Sequence, residues 1–321
     1  MSRHAVLVLL LAAASGCVEQ PDGSLAFDET TQEIVGGNDV AAGQWPDAVV
    51  VLGAKGSCTG TLIAPDVVLT AGHCSKIEPT QVIANTTDYA RAGGVRVAVE
   101  KTVAYPDWQT TYDVSVIVLA SPITNVTPRN VATSCTFNAF AKDVAVHLVG
   151  FGATDMQGTA ANSRLKEAMA AVTDPSCTGG NGCNSRVAPG GEFVAGGTGN
   201  ADSCFGDSGG PVYLDTDGGA VLVGAVSRGV DNSSTPCGGG GIYVRTDKII
   251  SWIESTAART IAKDDCVGNG DDDPGRGTGS DGDDSGDEYA SAGAGCSAGR
   301  GAGLGTLGLA LVGLAFVLRR R

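Results

Sequence analysis

The segment Asp202-Ser203-Cys204-Phe205-Gly206-Asp207-Ser208-Gly209-Gly210-Pro211 sets a hydroxyl among glycines, with one carboxylate beside it and another six positions upstream. Glycines remove side-chain bulk, so the backbone can turn sharply and aim its NH groups at an incoming carbonyl oxygen, the geometry that acyl transfer requires. A surface loop rich in glycine and serine has the same composition, so the serine counts as a nucleophile only if a base exists to take its proton. The 321-residue chain has three histidines. His4 falls in the N-terminal segment, and His147 lies inside the apolar run Val144-Ala145-Val146-His147-Leu148-Val149. His73 remains, after Val67-Val68-Leu69-Thr70-Ala71-Gly72, a buried-strand pattern that ends in glycine. It therefore sits where a strand opens into a loop, a place from which an imidazole can serve as general base.

Four blocks, in order, resemble the chymotrypsin/trypsin family of serine proteases: Ile34-Val35-Gly36-Gly37, Thr70-Ala71-Gly72-His73-Cys74, Asp113-Val114-Ser115-Val116-Ile117-Val118-Leu119 and Gly206-Asp207-Ser208-Gly209-Gly210-Pro211. The resemblance runs from Ile34 to Ala262 and implies an all-β fold of two six-stranded antiparallel barrels with a C-terminal helix. It implies Ser208 as nucleophile, His73 as general acid and base, and Asp113 as the carboxylate that orients the imidazole, the established division of roles in that family. Composition alone does not select Asp113 among 35 acidic residues, but the apolar run after it can bury it beside His73. The NH groups of Gly206 and Ser208 are implied to form the oxyanion hole, worth about 3 kcal/mol per donor. No cofactor or metal is expected.

The two carboxylates of the opening segment receive different roles from the resemblance. Cleavage between Glu33 and Ile34 frees an ammonium that pairs with Asp207, so the chain as written is expected to be an inactive zymogen. A buried pair of this kind costs about 3 to 5 kcal/mol to break, enough for a switch. Asp202 matches the floor of the pocket that grips the residue before the scissile bond, with Ser203, Ser227, Gly229 and Gly241 around it, and a carboxylate there selects Arg or Lys. Arg228 departs from the family, in which most members carry an aromatic residue at that place. It is expected to face solvent, with a preference for acidic residues further upstream in the substrate as the other reading. The sequence before the cut, Thr30-Thr31-Gln32-Glu33, ends in an acid. An enzyme selective for basic residues does not cut there, so a separate activating protease is expected.

Ten cysteines in a framework of turns and short strands point to disulfides made in an oxidising compartment. The resemblance pairs Cys58 with Cys74, bracing the histidine loop for about 3 kcal/mol, and Cys204 with Cys237, tying the nucleophile loop to the pocket wall. Val194 stands where relatives have a cysteine, so a third bridge is expected to be rebuilt locally between Cys177 and Cys183. Cys135 with Cys266 is a fourth, weaker pairing. No Cys-x-x-Cys spacing suggests a metal site.

Short valine-rich runs bounded by Gly, Asn and Asp read as strands at 48–52, 95–99, 144–149, 211–214 and 220–226. Lys248-Ile249-Ile250-Ser251-Trp252-Ile253-Glu254 has helical spacing, with Asp247 as cap, and is expected to continue to about Ala262. Residues 1–16, with a basic start and an apolar run, read as a bacterial secretory signal. Ala14-Ser15-Gly16-Cys17 reads equally well as a lipoprotein cleavage box acylated at Cys17, and 17–33 is then the propeptide.

Residues 263–295 form an Asp- and Gly-rich linker, in which 264–288 hold ten acids and one arginine, a net of -9 out of -14 for the chain. The acidity therefore belongs to a solvated, self-repelling spacer and not to the catalytic region. No nucleic-acid partner is expected. Residues 296–321 carry Cys296, an uncharged stretch from Gly301 to Leu318 that is barely long enough to cross a bilayer, and Arg319-Arg320-Arg321. This arrangement resembles the C-terminal sorting signal of myxobacterial surface proteins. It implies sorting machinery, cleavage near a lipid-modified Cys296, and display at the cell surface or outer envelope, with a retained anchor as the simpler reading.

Overall fold

Runs of β-branched residues, broken by glycine and aspartate turns, become thirteen strands in the computed structural model, which describes residues 34–178, 180–197 and 201–265. The expectations for 1–33, for the linker beyond 265 and for the tail, together with Cys17, Cys266 and Cys296, lie outside the described residues. Among the described residues no helix is long and apolar enough to cross a membrane.

The first strand, β1 (Asn38–Asp39), is a two-residue edge. A closed barrel follows from β2 (Ala48–Gly53), β3 (Gly56–Ala64), β4 (Val67–Thr70), β5 (Pro79–Ala84), β6 (Val95–Ala104) and β7 (Ser115–Leu119), in the order β2-β3-β4-β7-β6-β5. The second barrel uses β8 (Ala145–Gly150), β9 (Lys166–Asp174), β10 (Glu192–Ala195), β11 (Pro211–Thr216), β12 (Gly219–Gly229) and β13 (Gly241–Arg245). Its order is β9-β10-β13-β12-β11-β8, closed by β8 pairing back onto β9, while β1 adds to β9 through Asn38 opposite Glu167. All of these pairings are antiparallel.

Side chains alternate across a strand, and in β2 both faces are buried. Val49 and Val51 point into the first barrel with Leu62, Val68, Val82 and Ile117. Ala48 and Val50 point the other way, into a cluster that also takes Ile63, Leu69 and Val116 from the first barrel and Val149, Tyr213 and Leu222 from the second. That is why this strand reads as an unbroken apolar run. Burying each such valine or leucine contributes about 1.5 to 3 kcal/mol. Asp47 sits at the same seam, fully buried, where its Oδ2 accepts from Arg129 Nε at 2.9 Å and from the Tyr213 hydroxyl at 2.6 Å.

The C-terminal helix is shorter than its periodicity suggests. A 3-10 turn at Thr246–Lys248 precedes α1 (Ile250–Ala257), and Ala258 ends it in the left-handed region at φ 52°. Asp247 does not cap it; its carboxylate holds Arg245 at 2.9 Å and Lys248 at 3.1 Å. The chain leaves the helix in order to return to the second barrel, where the Val131 NH donates to the Ala262 carbonyl at 2.9 Å. A helix continued to Ala262 would forfeit that bond.

Candidate active site

His73 opens a 3-10 turn (His73–Ile77) directly after β4, and a disulfide from Cys74 to Cys58 of β3 pins the turn to the barrel. Asp113 lies just before β7 and is buried. Its Oδ1 accepts the His73 backbone NH at 2.8 Å, and its Oδ2 lies 2.8 Å from His73 Nδ1. The Ser227 hydroxyl also donates to Oδ2, at 2.8 Å. Held this way, the imidazole keeps its proton on Nδ1 and turns Nε2 outward as an acceptor. Glycine is required at position 72, because a Cβ there would lie 2.9 Å from Asp113 Oδ1 and 2.8 Å from Trp108 Cβ.

Ser208 comes from the loop before β11, in the second barrel. Its carbonyl accepts the Thr59 NH of β3 at 3.0 Å, and the Thr59 hydroxyl donates to the Gly206 carbonyl at 2.8 Å. Gly209, at φ 78°, packs so closely on β3 and β4 that a Cβ would stand 2.7 Å from the Thr59 carbonyl. These three contacts carry Ser208 across the barrel seam to the end of β4 where His73 begins. Within the loop the NH groups of Asp207, Gly209 and Gly210 donate to Cys204, Val226 and Asp207 carbonyls. The NH groups of Gly206 and Ser208 have no acceptor among the described residues, and neither has the Ser208 hydroxyl. Two amides are thus left beside an unengaged hydroxyl. Such bonds to a base are commonly long in an empty site and tighten when substrate arrives.

Asp207 turns away from this surface and is fully buried, with Oδ1 accepting from Gly152 NH at 2.7 Å and Oδ2 from Cys204 NH at 2.9 Å. Burial pushes its carboxyl up to about 7, although the two amides pull the other way. It has no cationic partner among the described residues. Ile34 is buried too, and the next residue, Val35, forms an antiparallel bridge to Asp202, whose NH donates to the Val35 carbonyl at 3.1 Å.

Asp202 is 1% exposed. Its Oδ2 accepts from the NH groups of Gly238 at 2.8 Å and Gly240 at 3.0 Å, and Oδ1 from that of Ser203 at 2.8 Å. Burial raises the carboxyl to about 6 against these three amides. Gly241 abuts this site, because a Cβ on it would lie 3.0 Å from the Ser203 hydroxyl, whereas at Gly229 the nearest atom would be 3.7 Å away. The bridge Cys204–Cys237 joins the Ser208 loop to the strand-side loop that supplies Gly238.

A family model described as Trypsin matches residues 34–253. The chain belongs to the trypsin family. It is a serine endopeptidase. Chymotrypsin-like elastase family member 1 of Macaca fascicularis is 28% identical over 256 residues, which cover 72% of this chain and 92% of that protein. The Homo sapiens protein of the same name is 27% identical over 254 residues, covering 72% and 94%. Transmembrane protease serine 5 of Homo sapiens is 28% identical over 243 residues, 70% of this chain and 51% of that protein.

Within this trypsin-family site one expectation is overturned. Arg228 does not stand free in solvent; its side chain is 34% exposed, but its guanidinium forms an ion pair at 2.8 Å with Glu192 of β10, whose side chain is wholly buried. A cation on this strand could leave the seam only by stranding that carboxylate, which is costly. Glu192, Thr59 and Trp108 were not legible as site residues. Trp108 lies with its ring centroid 6.2 Å from that of His73 and lines a cavity of about 420 Å³ with Asp113, Gly182, Asn184, Arg186 and Arg228. The bridge Cys177–Cys183 closes the wall of that cavity and packs against Val194 and Ile242. The sulfurs nearest His73 are joined in the Cys58–Cys74 disulfide and offer no thiolate to a metal.

Proposed function

We propose that this trypsin-family protein is an exported, surface-tethered endopeptidase, made as an inactive precursor, that cleaves peptide bonds after Arg or Lys. The observation that carries the catalytic reading is the pair of bonds from one Asp113 carboxylate to the backbone NH and the Nδ1 of His73. In this reading Ser208 Oγ attacks the substrate carbonyl while His73 Nε2 takes the hydroxyl proton. The oxygen becomes negative and is received by the Gly206 and Ser208 amides. Asp113 stays ionised and stabilises the imidazolium. His73 then gives the proton to the departing amine, and water, deprotonated by the same nitrogen, releases the acid from Ser208.

Asp202 supports the preference for a basic side chain. Its two oxygens offer about four acceptor sites, and three amides occupy three of them, so one remains for a guanidinium or ammonium. Gly229 and Gly241 leave the walls without side chains, beside Ser203 and Ser227. The same three amides favour a second reading, in which Asp202 is satisfied by backbone and the pocket takes a small neutral side chain; the elastase names of the relatives point the same way.

Activation follows from Asp207, a buried carboxylate without a cation among the described residues, for which the Ile34 ammonium released by a separate protease cutting after Glu33 is the fitting partner. Residues 1–16 act as signal, 17–33 as propeptide and 34–262 as the protease domain. The 263–295 spacer and the 296–321 tail, handled by sorting machinery, hold the enzyme at the cell surface.

The experiment is labelling of the Ile34-starting enzyme with an organophosphorus serine reagent, followed by peptide hydrolysis. Covalent labelling abolished by Ser208→Ala supports the catalytic reading, and labelling that survives this change removes it. Faster hydrolysis after alanine or valine than after arginine or lysine transfers the conclusion to the second pocket reading.

A further inference from the structure

Arg228 uses every hydrogen it has. Its Nη1 donates to Glu192 Oε1 at 2.8 Å and to the Ser227 hydroxyl oxygen at 2.9 Å. Nη2 donates to Glu192 Oε2 at 3.0 Å and to the Gly182 carbonyl at 2.7 Å, and Nε donates to the same carbonyl at 3.2 Å. The two-pronged grip on a buried carboxylate fixes the guanidinium plane in a way that a point charge cannot. Glu192 is fixed in turn, since its Oε2 also accepts the Asn184 NH at 2.8 Å.

The consequence falls on Ser227. A hydroxyl has one hydrogen and two acceptor positions, and its rotation is otherwise free. With the Arg228 donor aimed at the oxygen, that hydrogen must point elsewhere, and the Asp113 Oδ2 at 2.8 Å receives it. The same oxygen lies 2.8 Å from His73 Nδ1. A line of bonds therefore runs from Glu192 through Arg228 and Ser227 to Asp113 and the imidazole, across β10 and β12.

We propose that the Glu192–Arg228 ion pair sets the direction of the Ser227 hydroxyl and thereby holds Asp113 in register with His73, making Arg228 a positioning residue for catalysis. The inference rests on the reading of Asp113 as the carboxylate that orients His73. It makes Arg228 an internal strut of the site, in place of a reader of acidic substrate residues.

The test is a double-mutant cycle on Arg228 and Ser227, measured on a short ester or amide whose only side chain is that of the residue before the scissile bond. This substrate does not reach the cavity beside Arg228. Arg228→Met and Ser227→Ala are each expected to lower kcat about 10- to 100-fold, the range for a small misplacement of reacting groups, with KM changed less than about twofold. Adding Arg228→Met to Ser227→Ala is expected to lower kcat no further, because the hydroxyl that Arg228 directs is already gone. Arg228→Met leaves the buried Glu192 without a cation, with only the Asn184 NH on it, so the cycle is repeated with Glu192→Met/Arg228→Met, which removes both charges. Equal, multiplying losses in the two backgrounds overturn the proposal, as does a kcat unchanged in the double-charge deletion. The active-site concentration in each variant comes from the organophosphorus label. If the unaltered enzyme takes no label at Ser208, the catalytic reading falls and this inference with it; if it labels and turns over while the cycle multiplies, the positioning role alone is wrong.

Discussion

Asp207 Oδ1 accepts the NH of Gly152 at 2.7 Å across 55 residues of sequence. The approach is possible only because position 152 has no side chain, since a Cβ there would lie 2.7 Å from the Asp207 backbone nitrogen and overlap its carboxyl. Gly152→Ala therefore forces the Asp207 loop outward, and with it the Gly206 and Ser208 amides next in sequence. We expect kcat/KM to fall at least about tenfold, with a stability loss of roughly 1 to 3 kcal/mol from overpacking. Steady-state kinetics and urea unfolding check both; full activity at reduced stability would separate Asp207 from the amides.

The uncleaved chain should be more stable in mild acid than in mild base. Burial raises Asp207 from 3.8 to about 7 and Asp202 to about 6. A carboxyl raised on folding prefers its neutral form there, so its contribution is complete below about pH 4 and is lost as pH climbs through 6 to 7. For Asp207 the loss is on the order of 4 kcal/mol. In a Ser208→Ala precursor the urea midpoint should drop between pH 5 and pH 8. In the form that begins at Ile34 the new ammonium offsets this drop, until it loses its own proton at alkaline pH. Identical pH profiles for the two forms would mean that the ammonium does not reach Asp207.

Discrimination by Asp202 should itself depend on pH. Its carboxyl titrates near 6, so the KM of an arginine or lysine peptide should rise as pH falls through that value. A peptide with a neutral residue at the same place serves as control and should not follow. Asp202→Ser should cost about 10²- to 10⁴-fold in kcat/KM on basic substrates, because the buried cation loses its counterion. Parallel profiles for basic and neutral peptides would return Asp202 to a structural role.

Thr59 should matter more than its place in the first barrel suggests. It is fully buried, donates to the Gly206 carbonyl at 2.8 Å, and accepts the Phe151 NH at 3.1 Å. Thr59→Val keeps the shape and removes both bonds, leaving the buried Phe151 NH and the partly buried Gly206 carbonyl unpaired, at about 1 to 3 kcal/mol for the buried group. The Gly206 amide then loses its backing. We expect a lower kcat with KM nearly constant, and a loss confined to KM would contradict this.

What the sequence discloses and what it hides follow one physical division. The strands at Ala48–Gly53 and Pro211–Thr216 announce themselves by unbroken or alternating apolar residues, because burial acts on each residue where it stands. Glycine-flanked Ser208 and strand-ending His73 are legible for the same reason, as local demands of chemistry on backbone. Glu192 and Arg228 stand 36 residues apart, and nothing near either one names the other. An exposed arginine and a paired one look alike until β10 and β12 are placed on either side of β13. The end of the helix is hidden for the same reason, because its stop is a bond between Ala262 and Val131, a partner far upstream.

The bridge between Val35 and Asp202 puts the second residue after the proposed activation cleavage against the residue proposed for the pocket floor. Each event therefore carries information about the other. In the proposed activation, a cation that fills the pocket and an ammonium that docks beneath it share this piece of backbone, so any factor by which one changes the binding of the other is returned equally, and we expect it to be a strengthening. A precursor soaked in a small guanidinium compound should then drift toward the working shape with no bond cut. On the proposed function, maturation and substrate choice then become two readings of a single equilibrium.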